Sequence, residues 1–407
     1  KRQVVAGEVW LCSGQSNMAF RVNESVKEEQ QQQLDYAKQH SQIRLFDLKP
    51  RWETYAVEWD ASVLDSLNRL QYYHDAQWEV CDMRNTARFS AIGFAFGRML
   101  ADSLQVPIGL ILNAVGGSPT EAWIDRKTLE FEFPDILQDW TKNDFIQDWV
   151  RERAALNIKQ ASNPLQRHPY EPCYLFEAGI QPLHRYPIKG IIWYQGESNA
   201  HNMEVHERLF PLLVNSWRQN WNADLPFYYV ETVPFACEYK EDGYIGALLR
   251  EAQQKALSLI PNSGMIGTND LVETYEAPQV HPHNKKGIGE RLAYMSLNKT
   301  YGYQGIESEY PSYKSMKING ETIEISFSHA EKGLSPWMNI SGFEIAGSDK
   351  VFYPAEASLN QKDHTVIVKS PTVKSPVAVR YCFRNFLKGN LINTRNLPVR
   401  PFRTDKW

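Results

Sequence analysis

Four short stretches carry polar side chains and glycines in patterns that a buried core does not require. They are "CSGQSN" (12–17), "NAVGGSPTEAW" (113–123), "WYQGESN" (193–199) and "VHPHNKKGIGERLA" (280–293). Between them they supply a serine, Ser16; a glycine pair, Gly116 and Gly117; a carboxamide beside a carboxylate, Gln195 and Glu197; and two loop histidines, His281 and His283. Acyl transfer needs such a set. A serine hydroxyl attacks the carbonyl, a histidine takes its proton, and N–H donors hold the oxyanion that forms.

Each stretch by itself has a plainer explanation. Ser16 and Asn17 are good helix caps, and the glycine pair suits an ordinary turn. Gln195 and Glu197 suit a buried hydrogen-bond network, and a lone loop histidine is usually just solvated. Their joint occurrence is what points to chemistry. Gly14 allows a tight turn that lifts Gln15, Ser16 and Asn17 to a strand end, where developing negative charge would meet backbone N–H groups. His281 precedes Pro282, which favours an extended backbone and suits a rigidly placed base; His283 competes for that role.

The positioning falls to a series of short apolar runs: 8–12, 106–112, 188–194, 225–231 and 264–268. They are continuous rather than alternating, as parallel strands buried on both faces are. Between them lie helix-period segments marked by Ile92, Phe96 and Met99; by Leu209, Leu213 and Trp217; by Leu248, Ala252 and Ala256; and by Ile288, Leu292 and Met295. Pro261 stops one of these helices. The alternation predicts an α/β fold, a three-layer αβα domain with a parallel sheet, and in such sheets ligands bind beyond the carboxyl ends of the strands. All four chemistry-bearing stretches lie at or near such ends.

Residues 124–170 interrupt the alternation and read as a helical insertion over one end of the sheet. Beyond 305 the period becomes two, with Ile323, Ile325 and Phe327, then Val366 and Val368, then Val377, Val379 and Tyr381. The expected organisation is therefore an α/β domain over 1–305 and a C-terminal β-rich region over 306–407. A formal charge of −4 with no Lys/Arg cluster argues against nucleic acid as a partner. No apolar stretch approaches the roughly 18 residues of a membrane span. The five cysteines (12, 81, 173, 237 and 382) show neither a CxxC nor metal-ligand spacing and read as buried free thiols, although a bridge between two of them stays open.

The blocks "GEVWLCSGQSNM", "VPIGLILNAVGGSPTEAW", "IKGIIWYQGESNA", "LREAQ" (249–253) and "HPHNKKGIGERLA" resemble those of the sialate O-acetylesterases, within the SGNH-hydrolase superfamily. The similarity runs on through "PVAVRYCFRNF" and "GNLINTRNLPVRPFRTD" and so covers nearly the whole chain in the family's order. It implies Ser16 as nucleophile and His281, not His283, as base. It also implies an oxyanion hole from the Ser16 N–H, a glycine of the Gly116–Gly117 pair and the Gln195 amide; Gln15 and Glu197, beside them in the sequence, read as supporting residues. It implies, further, a secreted or periplasmic location. In one respect the chain departs from the pattern. Superfamily relatives often place an Asp two or three residues before the histidine, where this chain has Pro278 and Gln279. We expect a backbone carbonyl near Gln279 to orient the His281 ring, with Asp270, Glu273 and Glu276 as alternatives.

The reading is a serine esterase that removes O-acetyl groups from sialic acids through an acyl-enzyme, with no metal or cofactor. Its substrate would be O-acetylated sialic acid or another acetylated sugar. The nearest rival is an acetylxylan or other carbohydrate acetylesterase. A rival of another class is a carbohydrate-binding protein without turnover.

Overall fold

The computed structural model describes residues 4–236 and 243–407. The backbone divides into two compact units. The first comprises residues up to Val230 with Ala252–Met265 and His283–Thr300; the second comprises Glu231–Glu251, Ile266–Pro282 and Tyr301–Trp407.

The first unit is built on a sheet of strands β1 (Glu8–Gly14), β2 (Ile43–Asp47), β3 (Glu79–Val80), β4 (Ile108–Ala114), β5 (Gly190–Tyr194), β6 (Phe227–Val230) and β7 (Ser263–Ile266). Their order is β3-β2-β4-β1-β5-β6-β7. β1 runs parallel to both β4 and β5, β2 parallel to β4, and β5 parallel to β6, while the two-residue β3 pairs antiparallel to β2. Two of the expected strands start late because Pro107 and Pro226 have no N–H to give the ladder. Their carbonyls still accept, from Glu8 and Ile191 respectively. β2 and β3 escape the sequence reading because each is short and carries charged residues.

The continuous apolar runs are explained by cover on both faces. Leu11, Ile111, Ile191 and Trp193 face a core completed by the helix Met203–Trp221 and by residues of the 124–170 segment. Trp193 meets Trp217 edge-on at 5.6 Å. On the opposite face Trp10 packs against Phe96 of the helix Ala91–Leu104, with ring centroids 5.1 Å apart. The helix Lys285–Lys299 lies against that same helix, so closely that a methyl group on Gly289 would fall 2.4 Å from the Ile92 carbonyl oxygen. About half of the 124–170 segment is helical, with Arg126–Glu132 and Asp148–Asn157 as its longer elements and no helix over 158–170. The helix Ile245–Leu259 ends just before Pro261, as expected.

The second unit is β-rich and antiparallel. One four-stranded sheet takes Glu356–Asn360, Thr365–Lys369, Thr322–Ser328 and Ser312–Asn319 in that spatial order; another takes Phe352–Pro354, Phe343–Ala346, Ala378–Tyr381 and Phe402–Arg403. Ile323, Ile325, Phe327, Val366 and Val368 are buried as their alternation requires. Around Val377 the period-two reading fails. Val377 is 38% exposed, whereas all four residues of Ala378–Tyr381 are buried. The reason is Arg380, whose charge on the other face is taken up by two 2.8 Å bonds to Asp405. Cys12, Cys81, Cys173 and Cys382 are free and buried, and Cys237 lies outside the described residues.

Candidate active site

The register of the three central strands decides where the polar stretches emerge. Gly14 pairs across from Ala114 on one side and Tyr194 on the other. Three neighbouring parallel strands therefore end level, and residues 15–17, 115–118 and 195–199 leave the sheet side by side. Here the order also reverses, with β4 on one flank of β1 and β5 on the other, which is where open α/β sheets form their ligand crevice.

Gly14 is needed at the exit. Its φ is +135°, and a side chain would place Cβ 2.1 Å from the Tyr194 carbonyl oxygen. That same carbonyl accepts the Gln15 N–H at 2.9 Å, so the chain turns hard against β5. Ser16 then opens the single-turn helix Ser16–Ala19 and remains partly exposed, while Gln15 and Asn17 on either side are buried. The Gly116 backbone comes close to it: a methyl group there would lie 3.8 Å from the Ser16 Cβ. Serine and glycine loop thus face one another across the strand ends.

Asn17 ties Ser16's segment to two charged groups. Its Nδ2 donates to Glu197 Oε1 at 2.9 Å, and its Oδ1 accepts from the Lys285 ammonium at 2.6 Å. Lys285 is fully buried, with its ammonium 4.8 Å from the Phe20 ring centroid. Burial pushes the Glu197 carboxyl up, opposed by the Asn17 hydrogen bond and the Lys285 charge. Gln15 braces the same turn, its Oε1 accepting from the Gly196 and Ser198 N–H groups at 3.4 Å each.

Gln195 is buried within a second network. Its Nε2 donates to Asn199 Oδ1 at 2.7 Å and to the Ser118 carbonyl at 3.3 Å, while its Oε1 accepts from the Thr120 hydroxyl at 2.8 Å. Both Nε2 protons thus have protein acceptors, the bond to Ser118 being the longer. Asn199 Nδ2 in turn donates to Glu121 Oε2 at 2.8 Å. Glu121 is fully buried, and desolvation pushes its carboxyl up to about 7.

His283 falls in the first unit, where its carbonyl accepts the Lys285 N–H; His281 falls in the second. Among the expected alternatives for orienting a histidine, Glu273 pairs with Lys388 at 2.8 Å, and the Glu276 carboxylate accepts the Glu273 N–H at 3.0 Å. The Gln279 N–H donates to the Glu276 carbonyl.

Sequence reasoning missed Lys285, Asn199, Thr120 and Glu121 as working parts. For Lys285 a signal was available. It stands at the first position of a helix, where a cation opposes the helix dipole, so something else must hold it there.

A family model described as "Carbohydrate esterase, sialic acid-specific acetylesterase" matches residues 6–298. Among curated proteins, the chain is 26% identical to the sialate O-acetylesterase of Mus musculus, across 93% of this chain and 73% of that protein. It is 28% identical to that of Rattus norvegicus, across 77% of this chain and 60% of that protein, and so spans less than two thirds of the rat protein's length. Among solved structures, a carbohydrate acetylesterase from Xanthomonas citri superposes with a TM-score of 0.77 at 29% identity, covering 98% of this chain and 81% of that one.

Proposed function

The chain belongs to the carbohydrate esterase family of sialic acid-specific acetylesterases, and from that premise we propose that it removes O-acetyl groups from sialic acids through a Ser16 acyl-enzyme. The observation that carries this reading is the level ending of β1, β4 and β5, which sets the Gly116 backbone against Ser16. Ser16 Oγ attacks the acetyl carbonyl as His281 accepts its proton. The oxyanion is held by the Ser16 N–H, an N–H of the Gly116–Gly117 turn and the Gln195 amide. Collapse expels the sugar oxygen, which takes the proton from His281. Water, activated by the same histidine, then releases acetate and restores the serine.

The serine machinery handles only the acetyl group, so it does not choose the sugar. A second reading, a carbohydrate acetylesterase of other specificity, draws on the Xanthomonas citri protein, whose fold matches along almost the whole chain. Rates of acetate release from O-acetylated sialic acid and from acetylated xylo-oligosaccharide, measured side by side, decide between them. Preference for the xylo-oligosaccharide would overturn the sialate assignment. Ser16→Ala should lose on the order of 10⁴-fold or more in turnover on either substrate. Retention of more than a few per cent of the rate would remove the serine from the mechanism. No helix among the described residues is long and apolar enough to cross a membrane. A secreted or periplasmic location, tested by cell fractionation, completes the reading.

A further inference from the structure

The glycine turn that faces Ser16 is held from behind by two hydroxyls. The Gly116 carbonyl accepts from Tyr170 Oη at 2.9 Å and lies 3.2 Å from Thr54 Oγ1, and the two hydroxyl oxygens are 2.5 Å apart. Two hydroxyls have two protons to share among these three oxygens. The arrangement is therefore a chain in which one hydroxyl donates to the other and the second donates to Gly116, Tyr170 being the nearer of the two to the carbonyl. Both side chains are buried, and burial pushes the Tyr170 phenol up, so it stays protonated and a donor at neutral pH.

A trans peptide points its C=O and its N–H in opposite directions. Capture of the Gly116 carbonyl on the Thr54–Tyr170 side thus turns the Gly117 N–H the other way. Among the described residues no protein acceptor takes that N–H. Polarising a carbonyl through a chain of donors also makes the N–H of the same peptide a better donor. Gly117 itself has φ +71°, and a side chain there would place Cβ 2.3 Å from Tyr170 Oη, so the hydroxyl and the glycine require one another.

The two hydroxyls are braced by a common residue. Asn157 Nδ2 donates to the carbonyls of Tyr55 and Val57, next to Thr54, at 2.7 and 2.6 Å. With both its protons so used, its Oδ1 accepts from His168 Nε2 at 3.1 Å, and His168 Nδ1 accepts the Tyr170 N–H at 2.9 Å. Burial pushes His168 down to about 3, which keeps it neutral and able to accept. The insertion helix Asp148–Asn157 thereby fixes both arms of the clamp on the glycine turn.

We infer that Tyr170 and Thr54 are positioning residues for the ester hydrolysis, clamping the Gly116–Gly117 peptide so that the Gly117 N–H points to the reacting oxygen. This rests on the reading of Ser16 as nucleophile. Removal of a whole oxyanion donor costs about 10²–10³ in kcat. Tyr170→Phe leaves Thr54 near the carbonyl and should cost about tenfold; adding Thr54→Val should bring the loss to about a hundredfold. KM should stay within about twofold throughout, because the donor acts on the transition state. Thr54→Ser, which keeps the hydroxyl, should restore the wild-type rate. Steady-state kinetics on a chromogenic acetyl ester reads these variants, with circular dichroism as the check on folding. If Tyr170→Phe is too unstable to assay, the comparison of Thr54→Val with Thr54→Ser carries the same question. Unchanged kcat in the double variant, or a change confined to KM, would overturn the clamp while an inactive Ser16→Ala still upheld the esterase. An active Ser16→Ala would instead remove the reading beneath it.

Discussion

Replacing Glu121 by Gln removes a titrating group from the core of the first unit and leaves its shape nearly unchanged. In the folded protein this carboxyl is pushed from the ordinary 4.5 up to about 7, because burial penalises the anion more than hydrogen bonds from its own backbone N–H and from Asn199 reward it. The folded state therefore holds a proton that the unfolded chain releases. Stability from this group is fully present below about pH 4.5 and is lost progressively as pH rises to about 7. The interval corresponds to roughly 3 kcal/mol. The carboxamide of Glu121→Gln would keep a carbonyl for Asn199 Nδ2, but its nitrogen would occupy the place of Oε1, which has no partner among the described residues. That orphan donor costs about 1–3 kcal/mol at every pH. The variant should thus melt below wild type at pH 4.5 and draw level with it or pass it by pH 8. The relative gain is about 6 °C if a kilocalorie shifts a unit of this size by about 2 °C. Thermal melts of both proteins from pH 4.5 to 8.5 make the measurement. A difference in Tm that stays constant across that range would show that Glu121 does not titrate as its burial demands.

Three further outcomes probe the site directly. Gln195→Ala should lower kcat by roughly 10²–10³ with little change in KM; an effect on KM alone would assign Gln195 to substrate binding. His281→Ala should be nearly inactive and His283→Ala nearly normal, and reversed phenotypes would exchange their roles. Single Ala substitutions at Asp270, Glu273 and Glu276 should each leave appreciable activity. A fall of about 10⁴-fold at one of them would identify it as a triad carboxylate in place of the carbonyl near Gln279.

The fold was legible where one physical cause dominated. Continuous apolar runs marked β1 and β4 to β7 because both faces of the sheet are covered, and the helix periods of 91–104 and 203–221 survived even Pro211 within the second of them. Reading failed where two causes competed. β2 carries Arg44 between Ile43 and Leu45, and β3 is only two residues long, so neither offers a pattern long enough to stand out. At Ala378–Tyr381 the alternation vanished because an ion pair let Arg380 be buried opposite Val379 and Tyr381, a compensation that depends on Asp405, 25 residues away.

In the site, the residues at the strand exits announce themselves, whereas those that brace them from behind do not. Gly14, Ser16, Gly116 and Gln195 break local rules: a glycine closing a strand, a hydroxyl left partly exposed beside a buried amide, a carboxamide where an apolar chain would do. Tyr170, Thr54, Asn157 and His168 break none, for each is an ordinary polar residue whose partner lies elsewhere in the sequence. Thr54 and Tyr170 are 116 positions apart, yet they share one carbonyl. Lys285 lies between these cases. Its place at a helix N-terminus violates the dipole preference, and one group that meets it is the Asn17 carboxamide, 268 positions away, which donates in turn to Glu197. A cation in an unfavourable local position is therefore a readable sign that a distant buried carboxylate or carboxamide will meet it, and in this chain that partner stands next to the serine.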